Sequence, residues 1–140
     1  MQISNVSGAK VYGQGDHSFQ TAGGVDGIRQ LVTEFYHQMD TLSEASHIRS
    51  MHPKDQEISI DKLALFLSGW MGGPALYDEK YGRISIPGAH YQIDIGIAER
   101  DAWLLCMEKA LQLQADYPQD FREYLLKQLG FPANLCRNRD

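Results

Sequence analysis

The residues most able to do chemistry in this sequence are its five histidines, and His90 has the most distinctive surroundings. It follows Pro87-Gly88-Ala89, in a segment where glycine and proline interrupt any regular pattern, and Trp103 comes thirteen residues later. A neutral imidazole nitrogen is a common metal ligand, and an indole N–H is a hydrogen-bond donor only. On pattern alone a single loop histidine is usually an ordinary polar residue. Whether His90 is a metal ligand therefore has to be judged from its spacing to other motifs.

The sequence lacks the short motifs of several common site classes. No two histidines lie four residues apart, and there is no Cys-x-x-Cys pair, calcium loop, phosphate-binding glycine loop or serine nucleophile elbow. The residues by themselves therefore indicate a helical domain without indicating an activity.

Composition and charge limit the class of protein. A chain of 140 residues that is 43% hydrophobic and 22% charged has the size and composition of one globular domain with a buried core. A net charge of −5 without a cluster of Lys or Arg argues against a nucleic-acid partner. The longest nearly apolar stretch, Leu63 to Gly73, is too short to cross a bilayer, and no secretory signal pattern is present. The separate thiols of Cys106 and Cys136 favour a reducing cytosol, hence a cytoplasmic location.

The first part of the chain predicts a leader and one long helix. Met1 to Ala22 contain several glycines and little periodicity, which predicts a loose N-terminal leader. Gly23-Gly24 then opens a helix in which apolar residues recur about every 3.6 positions. A short helical turn is expected from Ser43, its cap, to Ile48. The apolar positions of the long helix are Val25, Ile28, Leu31, Val32, Phe35 and Met39.

The middle of the chain predicts a second helix and a long loop. The helix is expected to begin with Ser59 as its cap and to end at Gly72-Gly73-Pro74. Residues 75–94 show no sustained helical period, so they are predicted to form an irregular functional loop. The apolar face of the helix contains Leu63, Phe66, Leu67 and Trp70.

Two further helices complete an all-α prediction. The third begins at Gly96, with Glu99 three positions on, and the fourth has Pro118 in its first turn and is expected to end at Gly130 with Pro132. The sequence thus predicts four substantial helices and one long loop.

A series of short motifs, in a fixed order, is more specific than any one of them. They are Phe35-Tyr36, Met51-His52-Pro53-x-Asp55, Leu63-x-x-Phe66-Leu67, Gly72-Gly73-Pro74, Tyr77, Tyr81-Gly82, His90 and Glu99-Arg100-Asp101-Ala102-Trp103. In order and spacing they resemble the group II truncated haemoglobins, and the resemblance covers about residues 23 to 129, three quarters of the chain. It implies an N-terminal leader at 1–22, a truncated globin domain at 23–132 and a C-terminal tail at 133–140.

The resemblance implies a fold and a cofactor. The fold is a shortened globin, a two-over-two helical sandwich around haem, with an extended loop before the proximal histidine. His90 matches the proximal ligand of the haem iron. No Cys-x-x-Cys-His motif is present, so the haem is expected to be b-type and non-covalent.

The resemblance also implies a polar distal pocket. Trp103 and Tyr36 match the tryptophan and tyrosine whose N–H and O–H groups bond a diatomic ligand, and His52 falls where many members have another aromatic residue. Each of these residues has an alternative interpretation. Trp103 and Tyr36 could be ordinary core residues, and His52 could be an exposed loop histidine before a proline.

Five further residues match haem-pocket positions. Ser59 stands where ordinary globins have a distal histidine and is too short to ligate iron. Leu63 and Phe66 match apolar haem contacts, while Lys62 and Tyr77 match residues near a propionate; for Lys62 a solvated helix face is the alternative. The sequence departs from the pattern at Ala89, where many members have an arginine.

Three functions follow as expectations. The first is a haem protein that binds dioxygen and other diatomic ligands. The second is a haem enzyme for nitric oxide dioxygenation or peroxide chemistry, for which a separate reductase would supply electrons. The third, from composition alone, is a cofactor-free helical interaction module.

Overall fold

A computed structural model describes residues 11–83 and 95–138, and these residues form helices and turns only. Seven α-helices are present in the described part of the chain: α1 (His17–Thr21), α2 (Gly24–Thr41), α3 (Ser46–Ser50), α4 (Glu57–Trp70), α5 (Leu76–Tyr81), α6 (Ile97–Gln112) and α7 (Gln119–Leu135). A 3-10 turn, Ser43–Ala45, precedes α3. The four long helices confirm the predicted all-α architecture.

Helix α2 is the centre of the fold, because its apolar stripe is almost completely buried. Gly23 precedes it with a φ of 93°, a conformation that glycine adopts without strain. Tyr36, beside the stripe, is only 5% exposed. The stripe residues with no exposed surface are Ile28, Leu31, Val32 and Phe35.

The four long helices pack one against the next, in the spatial order α4, α2, α6 and α7. Helix α2 packs against both α4 and α6, and α6 packs against α7. Buried side chains of α6 and α7 complete one continuous core; they are Cys106, Met107, Ala110, Leu111, Phe121, Leu125 and Leu129. None of the helices within 11–83 and 95–138 is long and apolar enough to cross a membrane.

The segment before α2 packs closely on the end of α4. Gly72 has a φ of 92°, and a Cβ atom there would lie 1.9 Å from the carbonyl oxygen of Gly15. A Cβ atom on Gly73 would lie 2.5 Å from the ring of Phe19. The two glycines therefore end α4, as predicted, and also let the chain around α1 approach its backbone. Helix α1 itself was not expected from the irregular pattern of residues 1–22.

The predicted serine caps are wrong in both places. Helix α4 begins at Glu57, two residues before Ser59, because the Asp55 carboxylate accepts a hydrogen bond from the Glu57 N–H at 3.0 Å. Ser43 bonds the Glu44 carboxylate at 3.1 Å rather than a backbone N–H. The start of α6 at Gly96 is confirmed, since Glu99 accepts a hydrogen bond from the Gly96 N–H at 2.7 Å.

Two predicted boundaries also differ from the structure. Residues 76–81 lie in the segment expected to be irregular, yet they form α5. Helix α7 continues through Pro132 to Leu135, although a proline inside a helix removes one hydrogen bond and crowds the carbonyl group four residues earlier. The remainder of the predicted loop, residues 84–94, lies outside the described part of the chain.

Candidate functional site

A row of aromatic rings connects α2 with α6. The Phe35 ring centroid lies 5.0 Å from that of Tyr36 and 5.0 Å from that of Trp103. Phe35 is completely buried, Tyr36 is buried and Trp103 is half-buried. Rings at these distances and tilts restrict one another's motion, so Phe35 fixes both polar neighbours.

His52 extends this row on the side of α3. It follows the end of that helix, and its ring centroid lies 5.8 Å from that of Tyr36 in an edge-to-face arrangement. The Nδ1 atom of His52 lies 2.8 Å from the Ile48 carbonyl oxygen, a hydrogen bond in which the ring donates. This bond fixes the ring orientation and the proton position in the neutral form. The structure thus brings together Tyr36, Trp103 and His52, the three predicted distal residues.

The Tyr36 hydroxyl stays protonated over a wide pH range. Burial raises the pKa of Tyr36 to about 12, while hydrogen bonding by the Ser59 side chain and the positive charge of Arg49 act in the opposite direction. A neutral tyrosine keeps its O–H proton and can donate it to a ligand. Ser59, half-buried in the first turn of α4, therefore lies at the same site as Tyr36.

Large apolar side chains on α4 and α6 remain partly uncovered. Leu63, Phe66 and Trp70 pack against the core but are only half-buried, although their spacing predicted a core face. Trp103 on α6, and Met51 immediately after α3, also pack against the core and are also half-buried. Partly exposed apolar surface next to buried polar groups is what a flat, mainly apolar cofactor would cover. The described residues therefore fit a haem.

Lys62 and Tyr77 both lie beside the Tyr81 ring. The Tyr77 ring is perpendicular to that of Phe66, with centroids 6.4 Å apart, and lies 5.2 Å from that of Tyr81. Lys62 is exposed, and its Nζ atom lies 5.3 Å from the Tyr81 ring centroid. The structure thus places both predicted propionate partners on one side of the apolar face.

The sequence did not single out Asp61, which organises the polar contacts of this region. Its carboxylate accepts hydrogen bonds from Arg29 at 2.8 Å, Lys80 at 2.7 Å and the Tyr81 hydroxyl at 2.6 Å. These bonds hold the pKa of Asp61 well below its usual range. No sequence signal marks it, because its partners are 19 to 32 residues away. The position of His90, the predicted proximal ligand, lies outside the described residues.

Comparison with known proteins identifies the family. Residues 17–134 match the model of the family described as bacterial-like globin. The chain is 31% identical over 129 residues to the group 2 truncated haemoglobin YjbI of Bacillus subtilis, a match that covers 91% of this chain and 93% of that protein.

Solved structures agree with this assignment. The group II 2-on-2 haemoglobin of Agrobacterium tumefaciens is 34% identical, with a TM-score of 0.82 and coverage of 96% of this chain and 99% of that one. The cold-adapted truncated haemoglobin of the Antarctic bacterium Pseudoalteromonas haloplanktis TAC125 is 32% identical, with a TM-score of 0.82 and coverage of 88% and 98%. The predicted two-over-two fold is therefore confirmed. The chain belongs to the bacterial-like globin family, as a group II truncated haemoglobin, and this membership implies haem-based ligand binding.

Proposed function

We propose that this chain binds dioxygen and other diatomic ligands in a pocket for non-covalent haem b, with His90 as the proximal ligand and Tyr36, Trp103 and His52 on the distal side. The observation that supports this most directly is the aromatic row. Tyr36 and Trp103 both pack on the buried Phe35 ring at 5.0 Å, and His52 lies 5.8 Å from Tyr36. When bound, haem supplies the iron that takes up the ligand reversibly.

Tyr36 and Trp103 act in this proposal as fixed hydrogen-bond donors. Dioxygen held by a haem carries partial negative charge, which an O–H and an indole N–H stabilise in a site with little water. Each such bond contributes about 1 kcal/mol or more. Because donors of this kind act on the bound ligand, they slow its escape more than its entry.

His52 is the distal residue whose ring nitrogens can either donate or accept a hydrogen bond. Because its Nδ1 atom bonds the Ile48 carbonyl oxygen, any contact of this ring with a ligand has to use Nε2. In the neutral ring Nε2 accepts a hydrogen bond, whereas in the protonated ring it donates one. We therefore assign His52 the role of adjusting the hydrogen-bond network of Tyr36 and the ligand.

The remaining pocket residues have supporting roles. Leu63 and Phe66 would cover the apolar faces of the haem, and Ser59 would bond Tyr36. Lys62 and Tyr77 would lie near a propionate, a role supported by the contact of Tyr77 with Phe66 and by the contact of both residues with Tyr81.

The visible absorption spectrum of the chain reconstituted with haem tests the proposal. We expect an intense Soret band that shifts on addition of dioxygen, carbon monoxide or cyanide, and that changes its position or is lost in His90→Ala. The control is His37→Ala, since His37 is exposed on α2. A chain that gives no Soret band is instead a cofactor-free module, and a normal spectrum in His90→Ala would contradict the proximal assignment.

Peroxide chemistry is a second candidate, and the fixed His52 ring is the observation that favours it. A histidine whose Nδ1 donates to a carbonyl can use Nε2 as a proton acceptor. Turnover would require a separate electron donor, as would nitric oxide dioxygenation. Peroxidase turnover and nitrate formation, compared between the original chain and His52→Ala, separate these activities from ligand binding alone.

A further inference from the structure

Arg49, in the last turn of α3, has four oxygen partners among the described residues. Its Nε atom donates to the Asp40 carboxylate. One terminal nitrogen donates to the Pro53 carbonyl oxygen at 3.0 Å and also lies 3.4 Å from the His52 carbonyl oxygen. The other terminal nitrogen donates to the Lys54 carbonyl oxygen at 3.2 Å. The planar guanidinium thus contacts three consecutive carbonyl groups and one carboxylate, a geometry that arginine provides and lysine does not.

The partner of Arg49 connects these contacts to the pocket helices. Asp40 lies on α2 four residues after Tyr36, so the two are neighbours along one face of that helix. Its carboxylate also accepts a hydrogen bond at 3.3 Å from Gln56, which lies immediately before α4 and three residues before Ser59. The pair therefore ties the turn that contains His52 to the helices of Tyr36 and Ser59.

The Arg49 side chain is only partly exposed. Its exposed fraction is 22%, although its contacts with Asp40, Pro53 and Lys54 lie at the surface. The positive charge of Arg49 also acts against the rise in the pKa of Tyr36 that burial causes. A half-buried arginine with four oxygen partners limits the motion of the backbone that it contacts.

We propose that Arg49, paired with Asp40, is a positioning residue of the distal pocket: it fixes the backbone of residues 52–54 and thereby sets the distance between the His52 and Tyr36 rings. It contacts no ligand and acts through His52. This assignment rests on the proposed function, because it matters for ligand binding only if His52 belongs to the distal pocket.

The test compares Arg49→Met with Arg49→Lys and Asp40→Asn in the haem-loaded chain. Hydrogen–deuterium exchange should be at least about fivefold faster for the amides of residues 51–56 in Arg49→Met. Dioxygen dissociation should accelerate about fivefold, as expected for one lost hydrogen bond. Arg49→Lys should not restore either value, and Asp40→Asn should give a smaller change in the same direction. Arg122→Met is the matched control, since Arg122 is a half-buried arginine that bonds the Gln114 carbonyl oxygen near the start of α7.

A double-mutant cycle separates positioning from general loss of structure. If Arg49 acts through His52, Arg49→Met should add little to the dissociation rate in a His52→Ala background. The assignment is overturned if the two effects multiply, or if Arg49→Met leaves the exchange of residues 51–56 unchanged. If His52→Ala and Tyr36→Phe accelerate dissociation while Arg49→Met does not, the Arg49 assignment fails and the proposed function stands. If neither His52→Ala nor Tyr36→Phe has an effect, the distal mechanism itself fails.

Discussion

Tyr36 is both a buried core residue and a proposed ligand-binding residue. Its ring is part of the core, yet its hydroxyl is the polar group that the proposed mechanism uses. Burial disfavours the charged phenolate, and this is why the pKa of Tyr36 is raised to about 12. A hydroxyl with this pKa keeps its proton, and remains a donor, throughout the neutral pH range.

The raised pKa of Tyr36 predicts alkaline destabilisation. In the unfolded chain tyrosine ionises near its ordinary pKa of 10.0, whereas in the folded chain it stays neutral until about 12. The stabilising effect is therefore complete below pH 10 and is lost as pH rises toward 12. We expect the free energy of unfolding, measured by urea titration, to fall between pH 9 and pH 11 by about 1 kcal/mol more in the original chain than in Tyr36→Phe. The control is Tyr124→Phe, since Tyr124 is a half-buried tyrosine on α7. If the free energy of unfolding falls equally in Tyr36→Phe and in the original chain, this account is contradicted.

At the scale of elements, the Asp61 cluster connects α5 to the long helices. Arg29 belongs to α2, Asp61 to α4, and Lys80 and Tyr81 to α5, so one carboxylate joins three elements. The bond to Tyr81 also places its ring beside Tyr77 and Lys62, the predicted propionate partners. The cluster thus positions one side of the proposed haem pocket.

Asp61→Asn tests the contribution of this cluster to stability. We expect a loss of about 1 to 2 kcal/mol at neutral pH, since three bonds to a charged group are weakened and two partners are well exposed. Because the pKa of Asp61 is lowered on folding, the carboxylate stabilises the chain above the ordinary aspartate pKa, and the effect is lost as pH falls through the lowered value. The difference between the two chains in urea unfolding should therefore shrink below about pH 4. Asp116→Asn, in an exposed loop, is the control, and a difference that stays constant with pH would contradict the assignment.

The elements also show what periodicity predicts and where it fails. The stripe of α2 and the stop at Gly72-Gly73-Pro74 were predictable, because burial and glycine geometry act locally. The start of α4 was misplaced, since Asp55 competes with Ser59 as a cap and residue type alone does not decide between them. Helix α5 has only six residues, too few for a helical period to show.

At the scale of the whole molecule, the candidate site is assembled from parts that are distant in sequence. Tyr36 and Trp103 meet because α2 packs on α6, and their contact through Phe35 could be expected only from a family resemblance. The Arg49–Asp40 pair and the contacts of Asp61 depend on tertiary geometry and had no sequence pattern. Apolar periodicity encodes which faces are buried, whereas polar contacts between helices depend on how those faces pack.

The central claim is that Tyr36 and Trp103 retain the ligand by donating hydrogen bonds to it. The most direct measurement is the dioxygen dissociation rate of the haem-loaded chain, compared with those of Tyr36→Phe and Trp103→Phe by stopped-flow spectroscopy. We predict that each substitution accelerates dissociation about fivefold or more and changes the association rate less. If both variants release dioxygen at the original rate, the two side chains do not hold the ligand and the proposed distal mechanism is wrong.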